Sequence, residues 1–326
     1  MKKSCKTVLT AAIAVIIILT AVSAAFSYLA LVNDYDHDIR HFDKGSVSAA
    51  IGMYLPIAAS IIALACSLFI RKKLSFSKAP ESGAATVFTS VLTGLLMIAF
   101  AALTVAGGGE ISKITYGVII TAALSGIYFL LLPFLSGRTF MAYLAFAPAL
   151  WSALKLLEEY FRDGDPINSP VRIVNLTMFA FLLLFFSEEV RFGIGRQLVG
   201  SYYFCALSAV AFTGAAVFPK LAVILTGAEG FDFVFMDWCL CAAVFLFILA
   251  RLASLPPVLC ERIPASSKQE DINSGGANAV STTDESTEKI AETDCDLVPD
   301  SDNKDNSAEE KTEDKFENEN EEADEQ

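Results

Sequence analysis

Six ionisable side chains stand at the margins of long apolar segments, and their types and spacing are the first chemical signal in the chain. The stretch Trp151-Ser152-Ala153-Leu154-Lys155-Leu156-Leu157-Glu158-Glu159-Tyr160 closes one such segment. On a helix, Lys155 meets Glu158 and Glu159 at i+3 and i+4, although Lys before Glu is the weaker order. Arg172 lies two residues past Pro170, at the start of the next segment, and can join the same cluster. Lys220 and Asp237 lie near the ends of two further segments, and a Lys220–Asp237 pair would shield both from apolar surroundings. Charges of both signs gathered in this way hold ions or small polar solutes. They also occur where long side chains reach water past an apolar stem.

Both histidines fall in Asn33-Asp34-Tyr35-Asp36-His37-Asp38-Ile39-Arg40-His41-Phe42-Asp43-Lys44. Were this loop helical, His37 and His41 would share a face, and Asp34 or Asp38 would add an oxygen ligand for a divalent cation. A solvated polar loop is the simpler reading, so His37 and His41 are weak metal candidates and no cofactor is expected. The histidine count excludes more than it offers. With no histidine in any apolar segment, a zinc protease of the His-Glu-x-x-His kind is impossible. Glu188-Glu189-Val190-Arg191 resembles the start of a glutamate-type intramembrane protease motif. The arginine required four residues after the second glutamate is Gly193 here, and no later histidine exists. Gly193-Ile194-Gly195-Arg196-Gln197-Leu198 lacks the third glycine of a dinucleotide loop, and no Gly-x-Ser-x-Gly occurs.

The elements that must position these residues follow from composition. Of 326 residues, 54% are hydrophobic and 19% charged, and the formal net charge is -13. That apolar share is high and the charged share low for a soluble globular chain. The charge divides sharply near residue 263: residues 1–263 hold 19 Lys/Arg against 16 Asp/Glu, whereas residues 264–326 hold 5 Lys against 21 Asp/Glu. A nucleic-acid binder built on a basic face is excluded. A hydrocarbon core of about 30 Å needs about 20 mostly apolar residues per helix. Eight runs qualify, near 8–32, 46–70, 84–106, 115–136, 139–157, 170–187, 197–218 and 233–250. They lack the period-2 alternation of a barrel. The expected fold is all-α: a polytopic transmembrane helix bundle over 1–263, with a disordered acidic tail over 264–326. The lipid bilayer is its first partner.

Two boundaries carry specific expectations. Asn168-Ser169-Pro170 opens the sixth run with a small polar cap and a proline at the first helical position. The seventh run is apolar over 197–227 apart from Lys220, and a straight helix of that length reaches roughly 46 Å. Pro219 is the expected break, with 221–227 as an interfacial or re-entrant piece. The first run begins Met1-Lys2-Lys3, like a secretory signal. Its apolar stretch extends to Val32, long for a cleaved leader, which favours a retained helix.

With the N-terminus inside, the inner segments carry 12 Lys/Arg and the outer ones 7. Arg71-Lys72-Lys73-Leu74-Ser75-Phe76-Ser77-Lys78 contributes most to this asymmetry. Eight spans return the C-terminus to the cytoplasm. The tail ends in a like-charge run, Glu317 to Glu325, that repels itself. It solvates the protein or docks on a basic cytoplasmic partner. Its Asp300-Ser301-Asp302-Asn303-Lys304-Asp305 fails as a calcium loop, because Lys304 takes a ligand position and Asp305 the turn glycine. No cysteine falls in an outer loop, so no disulfide framework is expected.

Pro148-Ala149-Leu150-Trp151, Asn168-Ser169-Pro170-Val171-Arg172 and the helix ending Phe185-Phe186-Ser187-Glu188-Glu189-Val190-Arg191-Phe192 are similar to a group of multi-pass proteins of anaerobic Gram-positive bacteria, over about 45 residues. The resemblance implies a bacterial plasma membrane and brings no assigned activity. The sequence points to a non-catalytic protein with a scaffolding, regulatory or sensory role. The alternative is a small-solute or ion transporter using the charged helix ends at the outer face. The topology predicts that a cytoplasm-dependent reporter fused after residue 263 is active. A reporter active only outside the cell contradicts the eight-span arrangement.

Overall fold

Where water is absent, each backbone N–H and C=O must find its partner inside the protein, and a continuous helix meets this need segment by segment. The computed structural model describes residues 2–36, 41–43, 45–71, 74–76, 83–107, 112–135, 139–162, 169–195, 198–227, 234–255 and 259–261. His37 and the acidic tail 264–326 lie outside them. The helices are α1 (Lys2–Asn33), α2 (Val47–Arg71), α3 (Ala84–Ala106), α4 (Lys113–Leu135), α5 (Thr139–Leu144), α6 (Phe146–Tyr160), α7 (Pro170–Gly193), α8 (Val199–Thr226) and α9 (Phe235–Ser254). They provide eight stretches long and apolar enough to cross a membrane, α5 and α6 together making the fifth. The protein is an integral, multi-pass membrane protein of all-α class.

Two small antiparallel pairs supplement the helices. Strand β1 (Tyr35–Asp36) pairs with β2 (His41–Phe42), and β3 (Leu74–Phe76) with β4 (Leu259–Glu261). The first pair corrects the helical premise for the histidine loop. His41 lies in a hairpin held by the edge-on contact of Tyr35 with Phe42, ring centroids 5.4 Å apart. Ser46 then starts α2 as its N-cap: its Oγ accepts from the Ala49 N–H at 3.1 Å and donates to Asp34 at 2.6 Å.

Three further boundaries differ from expectation, each for a physical reason. Helix α8 does not stop at Pro219. The proline removes one hydrogen bond, but the apolar residues beyond it still pack, and the helix ends at Gly227 in the left-handed conformation, φ 68°. Helix α7 continues past residue 187 to Gly193, which carries Glu188, Glu189 and Arg191 into the bundle. The fifth stretch is interrupted at Ala145, because the ring of Pro148 conflicts with the carbonyl four residues back, that of Leu144, where α5 ends. Ser169 precedes Pro170 in extended geometry as expected, but its side chain makes no capping bond.

Six helices form a closed circuit of neighbours: α3 packs on α4, α4 on α6, α6 on α7, α7 on α8, α8 on α9, and α9 on α3. Helices α1 and α2 pair with each other and with α8. In the middle of the circuit the fully buried Phe129 of α4 meets Phe186 of α7 and Phe247 of α9 edge-on, at centroid distances of 6.0 and 5.0 Å. The seam between α1 and α8 is tight. A Cβ on Gly214 would collide with Thr20.

Prolines inside helices create a second packing rule. Pro56 leaves the carbonyl of Gly52 without its helical donor, and Ser23 Oγ of α1 donates to that carbonyl at 2.7 Å. Pro133 does the same to Phe129, and Ser90 Oγ of α3 donates to its carbonyl at 2.5 Å. Ser90→Ala therefore costs about 1–3 kcal/mol by stranding a buried acceptor. In a Pro133→Ala background, where the helix supplies its own donor, the cost falls well below that. Unfolding of the four variants in detergent measures the difference; equal costs in both backgrounds would show that Ser90 does not serve this carbonyl.

Candidate functional site

Helices joined by short loops alternate in direction, so the C-terminal end of α6 shares one end of the bundle with the first turns of α7 and α9 and the last turns of α8. This end is opposite the one where α1 begins. Five of the six charges singled out in the sequence form there a polar network of two hydrogen-bonded sets. Lys155 Nζ lies 2.8 Å from Glu158 Oε2 and 3.5 Å from both carboxylate oxygens of Asp237. Glu158 also accepts from the Thr115 hydroxyl of α4 at 3.0 Å. Glu159 turns the other way: it accepts from Asn175 Nδ2 at 2.7 Å and pairs with Arg162 at 3.3 Å. Lys220 donates to Asn175 Oδ1 and stands 3.8 Å from the centroid of the Trp238 ring. Thus Asp237 takes Lys155 as its ion partner, and Lys220 reaches the network through Asn175.

Arg172, the sixth charge, is buried beside this network. It donates to the Tyr160 carbonyl at the C-terminal end of α6, where the helix dipole favours a cation. Lys155, Glu158, Glu159 and Asp237 line a single cavity of about 190 Å³, walled by Phe100, Trp151, Phe179 and Trp238. Arg162 stands at its exposed side. A second, smaller cavity of about 40 Å³ lies between α1, α2, α7 and α8, and Asn175 and Lys220 border it. Asn175 thus borders the smaller cavity and hydrogen-bonds Glu159, which lines the larger one.

A second charged group, at the end where α1 begins, escapes a reading by sequence. Glu189 of α7 holds Arg251 of α9 through two contacts, 2.9 and 3.2 Å, and also accepts from the Tyr202 hydroxyl of α8. The pair is almost without solvent contact, with side chains 3% and 8% exposed. Its neighbour Glu188 accepts from Arg191 and Ser201, both at 2.7 Å. The signal was present in Glu188-Glu189, but an apolar run that stops at residue 187 puts those residues in a loop. The aromatic cluster of Phe129, Phe186 and Phe247 lies on the same helices as both charged groups.

Among the described residues, no three His, Cys, Asp or Glu side chains gather as a metal site. His41 Nδ1 lies 2.9 Å from the carbonyl of Phe42. The four intramembrane cysteines, Cys66, Cys205, Cys239 and Cys241, are free thiols, and Cys241 lines the larger cavity. Comparison with family models, curated proteins and solved structures yields no match.

A buried ion pair that loses one partner leaves an uncompensated charge in a medium that cannot solvate it, at a cost of roughly 3–5 kcal/mol. Glu189→Gln and Arg251→Met are each expected to destabilise the protein by that order. The double variant Glu189→Leu/Arg251→Leu is expected to recover most of the loss. Thermal unfolding in detergent checks this, and a double variant worse than either single one contradicts the pairing argument.

Proposed function

We propose that the protein carries a small polar solute or ion across the membrane, using the larger cavity as its binding site. The carrying observation is the meeting of Lys155, Glu158, Glu159 and Asp237, drawn from α6 and α9, in one cavity inside a six-helix circuit. Charges that served only to anchor helix ends at the headgroups would point outward separately. An inward-facing set of both signs is what a solute path needs. The aromatic cluster and the Glu189–Arg251 pair then seal the path toward the other end. The Lys/Arg asymmetry of the loops supports an outward-facing cavity and cytoplasmic termini. The resemblance to proteins of anaerobic Gram-positive bacteria supports the plasma membrane.

A non-catalytic regulatory or scaffolding role is the second reading, and the tail favours it: 21 Asp/Glu against 5 Lys suit a basic cytoplasmic partner. The two roles are compatible.

Flux into proteoliposomes separates them. With a panel of small cations, anions and zwitterions, the intact protein is expected to transport at least one above empty vesicles. Glu158→Gln and Asp237→Asn are each expected to slow that transport about tenfold, the loss of roughly one charged hydrogen bond. Flux absent for the whole panel removes the transport reading and leaves the tail-centred one, and flux unchanged in both variants removes this cavity as its binding site.

A further inference from the structure

The larger cavity also indicates what class of solute it takes. We propose that its ligand is a small zwitterion of the amino-acid type, an ammonium and a carboxylate on one compact apolar body. This rests on the transport reading above.

The signs of the lining groups come first. An isolated cation in this cavity meets Lys155 and Arg162, and an isolated anion meets Glu158, Glu159 and Asp237. A molecule bearing both charges finds an opposite charge for each and adds no net charge to the site. Bonding capacity is the second argument. The Lys155 ammonium has three protons and one short contact, to Glu158 at 2.8 Å. Asp237 has two oxygens with room for about four donors. Among the described residues, its side-chain partner is Lys155 alone, at 3.5 Å. The pair is thus close enough to hold its charges in place and leaves bonding capacity on both groups for a ligand in the cavity beside them.

The Trp151 ring closes one wall of the cavity and is fully buried. The site thus places the ligand carboxylate on Lys155. It places the ligand ammonium on Asp237 with Glu158. Phe100 and Phe179 receive the apolar body. A cavity of about 190 Å³ has room for roughly six waters, the scale of a small amino acid.

Both tryptophans of the protein, Trp151 and Trp238, line this cavity, so intrinsic fluorescence reports its occupancy. The test uses the full-length protein in lipid nanodiscs, titrated with glycine, alanine and leucine. Two half-molecules of leucine serve as controls: 3-methylbutylamine, which lacks the carboxylate, and 4-methylpentanoate, which lacks the ammonium. Potassium ion is the inorganic control. A saturable change is expected with at least one amino acid, at least about tenfold tighter than with either half-molecule. Asp237→Asn is expected to weaken it about tenfold. Glu158→Gln is expected to weaken it about fivefold.

Binding of the amine or of potassium as tightly as the amino acids overturns the zwitterion and leaves a cation carrier. Equal binding by the carboxylate alone overturns it in favour of an anion. A saturable amino-acid signal unaffected by both variants places the ligand elsewhere. Absence of any saturable amino-acid signal from protein whose wild-type fold is verified by monodispersity and melting also overturns it. The flux panel then decides separately whether the transport reading survives.

Discussion

Inside a bilayer no water completes a hydrogen bond, so each polar group on a spanning helix needs a partner from its own helix or from a neighbour. Much of this architecture follows from that one constraint. Where Pro56 and Pro133 free a carbonyl, a serine of the adjoining helix takes it up: Ser23 for Gly52 and Ser90 for Phe129. These bonds fix which helices adjoin and at what height. The charges obey the same rule over longer reach. Lys155 of α6 turns to Asp237 of α9, Lys220 of α8 to Asn175 of α7, and Arg251 of α9 to Glu189 of α7. Each contact joins helices that the loops alone would leave free to pack otherwise.

The two charged ends satisfy this rule to different degrees, and the difference carries the functional argument. At one end Glu189 holds three hydrogen bonds, two from Arg251 and one from the Tyr202 hydroxyl, in a pair almost without solvent contact. At the other end Lys155 and Asp237 face each other across 3.5 Å beside an open volume. The first arrangement suits a seal and the second a site. Between them the rings of Phe129, Phe186 and Phe247 fill the centre of the circuit without polar atoms. A hydrated path through the middle would require these rings to move.

The number and position of the spans were readable because membrane helices are specified by local apolar length, a property of the chain that packing does not alter. The errors came where a local rule met a neighbour. Pro219 reads as a stop because an isolated helix is weakened there, but the residues after it pack on neighbouring helices and the helix continues to Thr226. Glu188 and Glu189 read as a loop because lone carboxylates are too costly in lipid. Arg191, Ser201, Tyr202 and Arg251 meet that cost, and three of those four partners are not on α7.

The candidate site divides along the same line. From residue types and spacing alone came the eight spans, the charge asymmetry of the loops, the acidic composition after residue 263 and the identity of the unusual charges. All of these are written within single turns of helix or short windows of composition. The packed helices decided that Lys155, Glu158, Glu159 and Asp237 share one cavity, that Lys220 joins them through Asn175, and that Arg172 caps α6 instead of facing the cavity. Lys155 and Asp237 are 82 positions apart in the chain. Helical periodicity sets only the face on which each lies; which helix stands opposite is settled by the pairing of polar groups across the bundle.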